Sequence, residues 1–175
     1  MAVLLIEGTN ASVESVLRGA RHYQKKIILY ISVDIMTEED LTIAMQEFFP
    51  KGCASEIAHI VFCYDIVFKV VRPRRRYLGT CSKYEKTITV NGNLPPYLFL
   101  LVTLHELGHF FAIKKYGTNI KPHGQEWKDE YIKLLKHFLY KGVFPVKLAE
   151  KVMQEIISPK ATCSIELKKA CADFL

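Results

Sequence analysis

His105-Glu106-Leu107-Gly108-His109 sets two imidazoles four residues apart with a carboxylate between them. On an α-helix, at about 100° and 1.5 Å per residue, the two histidines project from nearly one face about 6 Å apart along the axis, so both can reach one metal ion. Glu106 lies beside them, next to where a water on that ion would sit, rather than as a further ligand. Zn²⁺ lowers the pKa of such a water to roughly 7, where a neighbouring carboxylate can take its proton. The pentad reads as a zinc hydrolase site, with His105 and His109 as ligands and Glu106 as the catalytic base.

A catalytic zinc site uses three protein ligands and keeps one position open. His123 is the leading third ligand, separated from His109 by thirteen intervening residues, past the loop Gly117-Thr118-Asn119-Ile120-Lys121-Pro122 and just before a new helical pattern. Glu126, on that second pattern, is the rival, and would make a His₂Glu site instead. The longer metzincin pattern is absent, since Ala112 and Lys115 occupy its Gly and His positions. A buried histidine is more often a hydrogen-bonded core residue than a ligand. Here three ionisable groups interrupt an otherwise apolar helix, a costly arrangement unless they are neutralised or coordinated.

The elements that must hold these residues are legible from their punctuation. Asn93-Leu94-Pro95-Pro96 starts a helix and Gly117 after Lys114-Lys115-Tyr116 stops it, predicting a helix from Pro96 to Tyr116. Tyr97 to Ile113 is apolar almost all round, which marks a helix buried on most sides. A membrane span is disfavoured by the seventeen-residue run and the three ionisable groups at its middle. Thr37-Glu38-Glu39-Asp40 opens a helix reaching about Phe49, and another spans Cys53 to Tyr64. Strands are expected at Ile66–Val71, Tyr77–Thr80 and Lys86–Val90, forming a small antiparallel sheet, with further helices at Glu126–Leu139 and Val146–Ile157. The fold class is α+β, with helices packed on one face of the sheet and the pentad on a buried helix. Within residues 1–35, Val3–Ile6 and Ile27–Val33 look like strands around a helix near Ser12 to His22. That segment reads either as an appended element or as a stretch before a functional start at Met36.

Taken in order, Arg72-Pro73-Arg74-Arg75-Arg76-Tyr77-Leu78-Gly79-Thr80-Cys81, Thr87-Ile88-Thr89-Val90-Asn91, the pentad and His123-Gly124-Gln125-Glu126-Trp127-Lys128 are similar to the SprT-like family, whose eukaryotic relative is the Spartan DNA-protein crosslink protease. The resemblance runs from Met36 to Leu175, and this ordered set is far more specific than the pentad alone. It implies a zincin-like metallopeptidase domain over residues 36–175. Carried over position by position, it assigns His105, His109 and His123 to zinc and Glu106 to catalysis. Many members end in a zinc ribbon with paired Cys-x-x-Cys knuckles. Here Cys53, Cys63, Cys81, Cys163 and Cys171 show no such spacing, so the tail resembles that of bacterial members without a full ribbon and a second zinc is not expected.

At 175 residues, half of them hydrophobic, the chain suits one substantial core. An odd number of unpatterned cysteines and the lack of a cleavable signal peptide point to a reducing, cytoplasmic setting. The net charge of +6 is uneven: residues 1–65 sum to −4, residues 66–130 to +6 and residues 131–175 to +4. Positive charge thus gathers around the pentad, and Arg72, Arg74, Arg75 and Arg76 are the expected DNA contact if the substrate is DNA-associated protein. An ordinary solvated basic face is the alternative. The expected partner is a protein or peptide substrate, with no membrane. Arg74, Arg75, Tyr77 and Tyr116 are the candidates to stabilise an oxyanion. Two rival classes remain: a zinc-stabilised nucleic-acid-binding module without turnover, and an inert structural zinc fold.

Overall fold

The computed structural model describes residues 3–6, 29–30, 37–162 and 164–174; the helix expected near Ser12 to His22 and the thiol of Cys163 lie outside them. Among the described residues the strands are β1 (Val3–Ile6), β2 (Leu29–Tyr30), β3 (Val67–Val71), β4 (Gly79–Cys81) and β5 (Thr87–Asn91). The helices are α1 (Glu38–Met45), α2 (Ala54–Cys63), α3 (Pro96–Tyr116), α4 (Gln125–Tyr140), α5 (Val146–Ile157) and α6 (Ile165–Ala172). The architecture is mixed α+β.

Helix boundaries follow local chemistry. Thr37 caps α1 in a reciprocal box, its hydroxyl accepting from Asp40 N at 3.2 Å while the Asp40 carboxylate accepts from Thr37 N at 3.0 Å. The helix ends at Met45 rather than reaching Phe49, the chain passing into turns, yet Leu41, Met45 and Phe49 all remain buried. Helix α3 has the expected bounds, with Pro96 in its first turn and Gly117 at φ 81° closing it, a conformation that favours glycine. Buried Thr103 satisfies its hydroxyl by donating to Phe99 O at 2.8 Å. Although α3 is long and apolar enough to cross a membrane, 67% of the window that meets this test is buried inside the fold. Helix α6 carries no strong sequence signal; Ser164 caps it through Leu167 N, and Leu167 and Cys171 anchor it in the core.

The expected antiparallel sheet is corrected: the sheet is mixed, in the order β2-β1-β3-β5-β4. β3 lies parallel to β5 and to β1, while β4 is antiparallel to β5 and β1 to β2. The reason lies in the basic segment 72–78. Instead of a tight hairpin it crosses past the position of β5, so that β4 forms the edge and β5 returns into the gap between β4 and β3. Buried Asn91 at the end of β5 holds this crossing. Its amide donates to Arg74 O at 3.1 Å and Tyr77 O at 3.0 Å, and its carbonyl accepts from Arg74 Nε at 3.0 Å. The Arg74 guanidinium also donates to Thr89 Oγ1 at 2.9 Å. Ile88 and Val90 of β5 and Phe68 and Val70 of β3 bury one sheet face in the core that α3 enters.

Candidate metal centre

Helix α3 runs through the centre of the fold, packed against α4 along its length and against β4 and β5. His105 and His109 point toward the start of α4, where the chain has reversed through residues 117–124. His123 ends that reversal in the left-handed region, at φ 59°, a strained conformation for a residue with a side chain. The result is convergence: His123 Nε2 lies 3.1 Å from His105 Nε2 and 3.0 Å from His109 Nε2. All three ligand atoms lie within 4.8 Å of one another. Glu126, the rival ligand, is outside the group; its carboxylate folds back toward Gly124, where an added Cβ would lie 2.9 Å from Glu126 Oε2.

Hydrogen bonding does not account for this convergence. One Nε2 carries either a proton or a single in-plane lone pair, so His123 Nε2 cannot satisfy both of the other nitrogens. A tetrahedral zinc with bonds of 2.0–2.1 Å places its ligand atoms roughly 3.3–3.4 Å apart, close to the separations here. The imidazoles are also in the protonation state a metal needs. Burial, with the neighbouring rings adding to it, holds His105 down at about 3 and His109 at about 4, and burial also lowers His123. The three residues could therefore hold a metal ion.

Trp127 forms the base of this cluster. Fully buried one turn into α4, its ring centroid lies 4.7 Å from those of His105 and His123 and 5.4 Å from that of His109. Its indole N–H donates to His105 O at 3.2 Å, a carbonyl in the middle of α3. Tyr131, one turn on, stacks on Trp127 and meets the edge of His105. Gly108 permits this approach: a Cβ there would meet Tyr131 Cβ at 3.1 Å and Trp127 Nε1 at 3.2 Å. The glycine inside the pentad thus lets α4 come close enough to deliver His123.

Glu106 faces the other way, toward β4. It is 7% exposed, and Gly79 lies directly over it; a Cβ at Gly79 would fall 2.8 Å from Glu106 Oε1. Burial pushes the Glu106 carboxyl up to about 8, with the charge of Arg74 pulling the other way. A carboxyl so placed can both take and return a proton near neutrality. Cys81, on the same strand, is pushed up to about 12 by burial and by Glu106, so it stays a neutral thiol.

His105, His109, His123, Glu106, Cys81 and Tyr131 line a cleft of ≈ 530 Å³ between β4 and the α3–α4 loop, to which residues of the C-terminal region also contribute. Of the oxyanion candidates, Tyr77 lines it, whereas Arg74 is engaged by Thr89 and Asn91, and Arg75 and Tyr116 lie away from the lining. Arg72, Arg75 and Arg76 are exposed, Arg74 half-buried. Sequence reasoning missed Tyr131, Cys81, Glu155 and Lys160 as cleft residues. Only Tyr131 left a trace, being one helical turn beyond Trp127 and two beyond His123. No protein-family model, curated protein or solved structure matches this chain.

Proposed function

We propose that the protein is a zinc-dependent peptidase of the SprT-like type, with a zincin-like fold and with His105, His109 and His123 as the metal ligands. The observation that carries the proposal is the meeting of three imidazoles, with His123 Nε2 3.1 Å and 3.0 Å from those of His105 and His109 and all three ligand atoms within 4.8 Å of one another, in an open cleft that a buried carboxylate also lines. Zinc, when bound, would polarise the scissile carbonyl and acidify the attacking water. Glu106 takes the proton of that water and later delivers it to the leaving amine. Trp127 fixes the ligand-bearing turn of α3 through the His105 carbonyl and excludes water from beneath the imidazoles. The outer edge of β4, which lies over Glu106, offers backbone groups to an extended peptide in the manner of strand addition. Exposed Arg72, Arg75 and Arg76 lead into that strand, and action on DNA-associated proteins is part of the same proposal.

The test is metal content and turnover together. Purified protein should hold about one zinc per chain, lost in His105→Ala and in His109→Ala. Glu106→Gln should keep the zinc and fail to cleave an unfolded protein substrate, with or without single-stranded DNA. Full zinc retention in both histidine variants would remove the site. Equal cleavage by wild type and Glu106→Gln would remove the mechanism.

A further inference from the structure

Five cations stand around the mouth of the cleft: Arg76 before β4, Lys83 in the β4–β5 turn, Lys121 in the loop before His123, Lys160 after α5 and Lys168 on α6. They come from five separate segments, so only the fold brings them together. None forms an ion pair among the described residues. Of the twelve lysines outside the cleft among the described residues, four form ion pairs. Lys86 pairs with Asp65, Lys115 and Lys133 with Glu130, and Lys141 with Glu56. Of the carboxylates that share the cleft, Glu106 is 7% exposed and set under β4, while Glu155, 6% exposed, accepts from Lys160 N at 2.9 Å. The Lys160 charge also acts on Glu155 and on exposed Glu166, so Lys160 is the rim cation with acidic neighbours. Between rim and metal ligands the lining is apolar, from Leu101, Val102, Ile113 and Ile120.

We propose that this rim makes the cleft selective for acidic peptide segments, seating an apolar side chain inside while aspartates or glutamates on either side of it meet the five cations. The inference rests on the peptidase reading and supplies its substrate class. A peptide suits the arrangement better than nucleic acid. The charges ring a concave apolar cavity instead of following a groove, and among the described residues Tyr77 is the one exposed aromatic that lines it, with exposed Tyr84 next to Lys83 outside the lining, short of the successive stacking platforms that single-stranded nucleic acid uses. Rim charges act through solvent, so the selectivity is graded and salt-sensitive.

The experiment measures binding of three dye-labelled peptides to the zinc-loaded Glu106→Gln protein by anisotropy. The peptides share a central Ala-Leu and differ in flanks of Asp/Glu, Ser/Gly or Lys. The acidic peptide should bind roughly tenfold or more tightly than the lysine peptide, from several rim pairs each of modest strength. The gap should close in high salt and in the double variant Lys160→Glu with Lys168→Glu. Lys83→Glu, at an exposed turn, gives an independent reversal if the double variant does not fold. Equal binding of all three peptides, or an acidic preference unchanged in the folded charge variants, overturns the inference. A single-stranded oligonucleotide that displaces the acidic peptide, binds more tightly and is lost in the same variants assigns the rim to nucleic acid and overturns it as well. Turnover by wild type separates the two ideas. Cleavage regardless of flank charge refutes the acidic selectivity and leaves the peptidase reading standing. Charge-selective binding with no peptide cleaved supports the selectivity and removes the peptidase reading.

Discussion

Gly79→Ala tests whether β4 and Glu106 are as tightly engaged as the structure has them. The added Cβ would lie 2.7 Å from Val102 Cγ1, 2.8 Å from Glu106 Oε1 and 2.9 Å from Glu106 Cγ. Ordinary carbon–carbon contact is about 3.5–4.0 Å, so roughly 0.8 Å must be recovered by moving β4 outward, by turning Glu106, or both. Overpacking of this kind costs about 1–3 kcal/mol, offset by about 0.4–1 kcal/mol from the reduced freedom of the unfolded chain. The net is a loss of roughly 1–2 kcal/mol, or about 2–8 °C in Tm for a chain of this size. The three histidines are untouched, so zinc content should be that of wild type. Turnover depends on where the Glu106 carboxylate sits, and displacement by about 1 Å at a reacting group lowers kcat by about 10²-fold. Thermal melts, metal analysis and peptide cleavage, run on one preparation, resolve the three effects. Wild-type Tm and wild-type kcat together would show that β4 does not press on Glu106, and the account of the cleft would fail. Zinc loss as complete as in His105→Ala would show that β4 supports the ligands instead of the base.

Asn91→Ala leaves the carbonyls of Arg74 and Tyr77 and the Nε of Arg74 without their Asn91 partner, and should cost roughly 2–3 kcal/mol in urea unfolding; a loss below about 0.5 kcal/mol would mean the 72–78 crossing is held by something else. In a chelator titration His123→Ala should weaken zinc binding severely and Glu126→Ala only slightly, because Glu126 stands outside the converging group; the reverse ranking would overturn the ligand assignment. Glu155 gives a pH signature. Burial raises its carboxyl above the usual range in the folded protein, so the folded state holds the proton more tightly than the unfolded one. Stability from this group is therefore greatest below about pH 4.5 and falls as pH rises through the raised value. Glu155→Gln should remove that decline, raising Tm at pH 7 more than at pH 4; an equal shift at both would refute the assignment.

Local chemistry suffices to make α3, and sequence reads it: Pro96 and Gly117 bound it, its apolar periphery predicts burial, and the spacing of His105 and His109 puts both on one face wherever the helix goes. The same holds for the Thr37 cap and for the presence of three strands after α2. What sequence could not yield was order and approach. A strand's alternation says which residues face the core but not which neighbour it pairs with; the parallel β3–β5 pairing follows from the path of residues 72–78 and from bonds of Asn91 to residues fourteen and seventeen positions away. His123 could be nominated from spacing, yet it is a left-handed turn and Gly108, which lets α4 close on α3, that bring His123 and not Glu126 to His105 and His109. Glu155 and Lys160 enter the cleft only because α5 and the segment after it fold back beside α3. Residues distant in the chain become neighbours through burial of shared apolar surface, which is non-directional and leaves no periodic signature in either segment alone.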